Sequence, residues 1–249
     1  ISEDLLKKLE AGQKINYENE KFVWTDNYVS EGNHAALAPS TEEIVTTCLS
    51  KDGKPLRWVR KNDIYRYGKF TGTSTLETAL YNMAVDEMIN NFEKDGTLRT
   101  GLYWGGVWTR DVSYSSLLSL AYMCPDKVKN SLEVKIDRMG RIIQDTGTGG
   151  SWPCSSDRVV WALSAWNIYL ATGDIEWLQK AYPVIIKSLE CDDMVVFNPQ
   201  TGLYRGESSF IDWREQSYPT WAQPADIYLS ECLGTNAAYY GVLKVTADM

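Results

Sequence analysis

Two hydrophobic periods divide the chain. Over roughly the first 70 residues, apolar positions fall in short extended clusters, Lys21–Trp24, Ile44–Cys48 and Leu56–Val59, set apart by turn-formers such as Lys51-Asp-Gly-Lys-Pro55. That pattern predicts short strands, with a short helix over Ser2–Glu10 ahead of them. From Ser74 the apolar spacing becomes three to four: Leu76, Ala79, Leu80, Met83, Met88, Ile89 and Phe92 form one helical face. A second helix is predicted over Val112–Met123, and a third over about Lys127–Ile143, through Val128, Leu132, Ile136, Met139 and Ile143. The fourth, Arg158–Ala171, is apolar nearly all round and is expected to be buried on every side. The fifth, Ile175–Leu189, is amphipathic and carries Pro183, an expected kink. A sixth starts at Thr235 and runs to Val245, and the chain stops four residues later without a Gly or Pro stop signal. This predicts a fragment of a longer domain, with a strand-bearing segment over 1–73 and a helical domain over 74–249.

The connections alternate in length. Helices two and three meet through Cys124-Pro-Asp126, and four and five through Thr172-Gly-Asp174. The others are long: about Glu93–Asp111, Asp145–Asp157 and Glu190–Gly234. In an up-down helical array, alternate connections emerge at opposite ends, so the three long ones are expected on one face. They read Gly101-Leu-Tyr-Trp-Gly-Gly-Val-Trp-Thr-Arg-Asp111, Gly147-Thr-Gly-Gly-Ser-Trp-Pro153 and Gly202-Leu-Tyr-Arg-Gly-Glu-Ser-Ser-Phe-Ile-Asp-Trp-Arg-Glu215 onward to Trp221. Trp104, Trp108, Trp152 and Trp213 would offer flat apolar faces to the C–H side of a pyranose. Arg110, Asp111, Arg214 and Glu215 would satisfy its hydroxyls. Simpler roles compete. Asp111 precedes a helix and could cap it, and Arg110 could pair with a loop acid. Trp161, Trp166 and Trp177 fall at helical positions suited to core packing. Gly147-Thr-Gly-Gly150 is followed by no Gly-Lys-Ser/Thr and preceded by no strand, so it is read as a turn and not a phosphate loop.

Composition narrows the classes. The chain has 249 residues, 44% of them apolar and 12% aromatic, with ten Trp and fifteen Tyr. That argues for a folded, aromatic-rich protein and against disorder. A formal charge of −8 argues against a nucleic-acid partner or a polybasic membrane surface. The longest apolar run, Val159–Ala171, is broken by Ser164 and Asn167 and falls short of a membrane span. Five cysteines without a Cys-x-x-Cys pair predict no zinc site and at least one free thiol. Cys124 and Cys191 are read as packing residues. His34 is the only histidine and no Gly-x-Ser-x-Gly elbow exists, which argues against a serine hydrolase. No cofactor is implied, and acidity with Trp richness suggests a secreted or periplasmic setting.

The ordered set of motifs resembles the six-hairpin glycosidases, the (α/α)6-toroid glycoside hydrolases that include the glucoamylases. Tyr103…Trp108-Thr-Arg-Asp111…Tyr114 is similar to their Tyr-x-Trp-x-Arg-Asp loop, and Val160-Trp161 through Thr172-Gly-Asp174…Trp177-Leu178 to an inner helix, turn and outer helix. The resemblance implies a mainly α toroid of helical hairpins, about half of it present, behind the short strand-bearing N-terminal segment. It implies an inverting, exo-acting hydrolase of an oligo- or polysaccharide, with Arg110-Asp111 gripping the terminal sugar. Its general acid would be Asp212 by an Asp-Trp match or Glu207 by a glucoamylase-like match. Such chemistry places a protonated and an ionised carboxyl roughly 6.5–9.5 Å apart, and the resemblance puts the second in later hairpins beyond this chain. Two other readings compete: a non-catalytic carbohydrate-binding domain on the same scaffold and, more distantly, a polysaccharide lyase using a Tyr base.

Overall fold

A computed structural model describes residues 15–143, 152–208 and 218–249. The chain divides into two compact units, Ile1–Asn90 and Asn91–Met249. The first is a six-stranded antiparallel meander, β1 (Ile15–Glu18), β2 (Phe22–Thr25), β3 (Tyr28–Glu31), β4 (His34–Ser40), β5 (Glu43–Leu49) and β6 (Pro55–Val59), paired in sequence order. Its turns are set by local chemistry. The Asn19 carboxamide oxygen accepts the backbone N–H groups of Lys21 and Phe22, both at 2.9 Å, to start β2. One helix, α1 (Thr75–Asn90), lies against one face of the sheet. Ala38, Ile44, Leu76 and Ala79 form the buried seam, flanked by Trp24, Val29, Trp58 and Met83. A reciprocal cap starts the helix: Ser74 Oγ accepts the Glu77 N–H at 3.1 Å, and the Glu77 carboxylate accepts the Ser74 N–H at 3.2 Å. Further along, buried Asp86 accepts the Trp58 indole N–H at 3.0 Å and the Asn62 backbone N–H at 2.9 Å, tying the β6 exit to α1.

This sheet corrects the expected fold class. Helices make up 47% and strands 20% of the described residues, so the architecture is mixed α/β and not a mainly α, (α/α)6 toroid. The resemblance to six-hairpin glycosidases is overturned with it. The physical reason lies in β1, β3 and β4. Ile15–Glu18 and Tyr28–Glu31 are four-residue strands, too short for alternation to stand out, and β4 is rich in Ala. A continuous sheet therefore read as scattered extended pieces. The Ser2–Glu10 helix lies outside the described residues.

The second unit is mostly helical: α2 (Thr109–Ser115), a π turn (Ser116–Leu120), α3 (Ala121–Met123), α4 (Pro125–Glu133), α5 (Trp161–Thr172), α6 (Ile175–Val195), α7 (Pro224–Leu229) and α8 (Leu233–Asp248). A 3-10 turn, Asp157–Val160, leads into α5. The α5 helix is the core element, packed by α2, α4, α6 and α8, but it is not buried on every side as its all-round apolarity predicts: Leu163, Trp166 and Tyr169 are half-buried and Leu170 is exposed. Trp161 is fully buried and donates its indole N–H to the Leu132 carbonyl at 2.9 Å. Trp177 donates to the Ala165 carbonyl at 3.0 Å. Both indoles therefore fill the interior with their one polar atom satisfied. Asp174 caps α6 by accepting the Trp177 N–H at 2.9 Å. No helix among the described residues is long and apolar enough to cross a membrane.

One local device recurs three times in this unit. Small hairpins pair Phe92 with Leu98, Ile136 with Ile142, and β7 (Phe197–Asn198) with β8 (Leu203–Tyr204). Each turns at a glycine with positive φ, Gly96, Gly140 and Gly202. In each, a backbone N–H donates to a side-chain oxygen of a helix further along the chain: Leu98 to Ser131 Oγ of α4 at 2.9 Å, Ile142 to Ser188 Oγ of α6 at 2.9 Å and Tyr204 to Asn236 Oδ1 of α8 at 2.8 Å. The second hairpin corrects the third predicted helix. Ile136 and Ile142 continue the apolar spacing, but Gly140 (φ 76°) reverses the chain after α4.

Candidate functional site

Each hairpin is followed by one of the long connections, and all three connections contribute to one buried cluster. The first is shaped by Arg99, whose guanidinium donates to the Gly101 carbonyl at 3.0 Å and the Leu102 carbonyl at 2.9 Å. Gly101 and Trp104 exchange backbone hydrogen bonds of 3.1 and 3.3 Å. This turn presents Tyr103 and Trp104 outward, 84% and 56% exposed. Trp104 stands edge-on to Trp108 with ring centroids 6.3 Å apart. Trp108 is the extended residue before α2, and buried Thr109 donates to the Ile143 carbonyl at 2.9 Å, fixing the helix start to the second hairpin. Arg110 and Asp111 thus occupy the first turn of α2. Asp111 is exposed there and is not the cap; its negative charge still suits the helix N-terminus.

In the second connection the Trp152 indole N–H donates to Asp192 Oδ1 at 3.0 Å, and the Arg158 guanidinium lies 4.6 Å from its ring centre. Ser155, Ser156, Asp157 and Arg158 after it are all buried. The third connection leaves β8 through Arg205, Gly206 and Glu207. Gly206 has φ 132°, and a Cβ there would fall 2.6 Å from Ser156 Oγ and 3.0 Å from the Cys154 carbonyl. Only glycine lets the third connection lie this close to the second. The Glu207 N–H then donates to the Cys154 carbonyl at 2.9 Å, and the Thr235 hydroxyl donates to the Glu207 carbonyl.

At the meeting point Arg110 Nη1 lies 3.2 Å from Glu207 Oε1 and 3.4 Å from Asp157 Oδ2. Both carboxyls are fully buried, whereas the Arg110 side chain keeps 18% exposure. Ser155 Oγ donates to Asp157 Oδ1 at 3.0 Å and also hydrogen-bonds Glu207. Burial pushes the Glu207 carboxyl up to about 7, aided by the Asp157 charge and opposed by Ser155 and Arg110. A second buried network adjoins it along the chain. Asp192 accepts from Arg158 at 2.8 Å, from the Tyr239 hydroxyl at 3.0 Å and from Trp152. Burial raises its carboxyl to about 6 against the pull of those donors. Tyr239 in turn stacks on Tyr204, rings 3.7 Å apart and nearly parallel.

Of the residues expected from sequence, the structure brings Arg110 and Glu207 into contact and sets Trp108 against Trp104 near the helix that carries Arg110. Trp152 is pinned to the Asp192 network. Asp212, Trp213, Arg214 and Glu215 lie outside the described residues. Sequence reasoning missed Asp157, Ser155 and Asp192. Ser155-Ser-Asp157 before an apolar run reads as a helix start, and Asp192 sits on an amphipathic helix where an acid reads as solvated. All five cysteines are free, with Cys48 exposed and Cys124 and Cys191 buried. Among the described residues no group of three or more His, Cys, Asp or Glu is placed to hold a metal ion. No protein-family profile, curated protein or solved structure matches the chain.

Proposed function

We propose that the protein is a glycoside hydrolase acting on an oligo- or polysaccharide, with a general acid carried by the third long connection. One observation carries the reading: Glu207 is buried against Arg110 where three aromatic-bearing connections meet, and that burial pushes its carboxyl up to about 7. An inverting glycosidase needs a carboxylic acid still protonated at working pH to protonate the leaving oxygen, and a second carboxylate to activate water. Arg110 is the partly exposed member of the cluster and suits a sugar hydroxyl. Trp104 and Trp108 offer apolar faces beside it. Asp212, five residues further along the same connection, competes with Glu207 for the acid role.

The protein is incubated with a panel of aryl and natural glycosides, alongside Glu207→Gln and Asp212→Asn variants. Hydrolysis with inversion supports the reading, and the variant that loses turnover on natural substrates but retains it on aryl glycosides with good leaving groups identifies the acid. Sugar binding by calorimetry with no turnover on any glycoside replaces it with a non-catalytic carbohydrate-binding role.

A further inference from the structure

We propose that Arg99 is a positioning residue for saccharide recognition: it fastens the turn from Gly101 to Trp108 so that Trp104 and Trp108 form a right-angled indole subsite, which takes the sugar ring next to the one held at Arg110. The inference rests on the reading of this site as a saccharide site, and adds to it a preference for glycans of two or more rings.

The turn displays apolar surface where a chain normally hides it. Leu102, Tyr103 and Trp104 follow one another and all are exposed. Glycine at 101, 105 and 106 leaves the backbone that carries them permissive. Little packs against it there. Beyond its chain neighbours, a Cβ at Gly101 or Gly106 would meet nothing within 4 Å, and one at Gly105 only the Arg99 guanidinium, at 3.9 Å. Order in such a turn has to come from hydrogen bonds, and Arg99 reaches into it with two. Nε donates to the Gly101 carbonyl at 3.0 Å and Nη2 to the Leu102 carbonyl at 2.9 Å. Arg99 is itself rooted in the first hairpin: its backbone N–H donates to the Asn91 carbonyl at 3.0 Å, and Nε lies 3.6 Å from the Glu93 carboxylate. A planar guanidinium thus fixes two consecutive peptide groups at once, which an ammonium on a flexible stem does not. At the other end of the turn the Trp108 indole N–H donates to the Gly105 carbonyl at 3.3 Å.

The two indoles held in this way stand at 87° with ring centroids 6.3 Å apart. A pyranose lays the C–H side of its ring flat on one aromatic plane. Two planes at right angles therefore suit two rings joined by a bent linkage, and not one ring. Trp108 lies two residues before Arg110, which puts the first ring against half-buried Trp108 and the next against exposed Trp104.

The test is isothermal calorimetry of the whole chain with gluco-, manno-, galacto- and xylo-oligosaccharides of one to four rings, with kcat and KM measured wherever a glycoside is turned over. The wild-type protein should bind a two-ring sugar of its preferred series about fivefold or more tighter than the one-ring sugar. Arg99→Gln should abolish that advantage without a comparable loss for the one-ring sugar, so that the effect falls on KM and not on kcat. Arg99→Lys should restore only part of it, and serves if Arg99→Gln does not fold. Trp104→Ala should reproduce the loss, and the double variant should be no worse than either single one, because Arg99 acts through Trp104. A purely structural role would instead lower the unfolding midpoint and weaken every sugar alike. No gain in affinity from one ring to two in the wild type, or a gain that survives in folded Arg99→Gln, overturns the inference. Turnover that is indifferent to Arg99 leaves the hydrolase reading standing alone, and an Arg99-dependent two-ring preference with no turnover on any glycoside removes the hydrolase reading and keeps the subsite.

Discussion

Glu207→Gln isolates the energetic cost of the buried acid. In the folded protein the carboxyl holds its proton to about 7 against an ordinary 4.5, so the folded state binds the proton more tightly than the unfolded chain. The stabilisation this gives is fully present below about pH 4.5 and is lost as pH rises through about 7. At about 1.36 kcal/mol per tenfold in proton affinity, the loss across that window is about 3 kcal/mol. Gln has nearly the same shape, cannot ionise, and keeps a carbonyl oxygen for Arg110. The stability of Glu207→Gln relative to wild type should therefore grow by about 3 kcal/mol between pH 4.5 and pH 8. Urea unfolding followed by tryptophan fluorescence at several pH values measures this, with Asp192 and every other titrating group common to both proteins. Parallel stability curves for the two proteins would refute the argument, because Glu207 would then ionise as freely in the fold as out of it.

Three further outcomes test the packing around the site. Asp192→Asn removes the charge partner of buried Arg158 and an acceptor for Trp152 and Tyr239, and should lower stability by about 3–5 kcal/mol in chemical denaturation. Gly206→Ala places a Cβ 2.6 Å from Ser156 Oγ at a φ of 132°. It should cost on the order of 1–3 kcal/mol and shift the Glu207 titration, since Glu207 is the next residue. Trp104→Ala removes a 56% exposed indole; it should change stability by less than about 0.5 kcal/mol while weakening saccharide affinity in calorimetry.

The helical half of the fold was legible where periodicity was long and pure. The all-apolar stretch around Trp161 marks the core helix, and Asp174 and Gly173 mark the turn after it. Legibility failed where a short turn interrupts a spacing that fits either period, as at Gly140 between Ile136 and Ile142, and where a strand is short, as β3 is, or Ala-rich, as β4 is. In the site, Arg110 stood out because a guanidinium at a helix start has no capping role. Glu207 stood out only as one of several acids in a long connection. Its partner Asp157 was hidden, because an acid before an apolar helix already has an adequate local explanation, and only the tertiary approach of three connections gives it another.

The threefold bond from hairpin backbone to a helix further along the chain has an evolutionary corollary. Ser131, Ser188 and Asn236 anchor the point from which each long excursion departs, so lengthening, trimming or rewriting an excursion leaves its root where it was. Chemistry at the shared cluster can then be remodelled one excursion at a time, with the scaffold indifferent to the exchange.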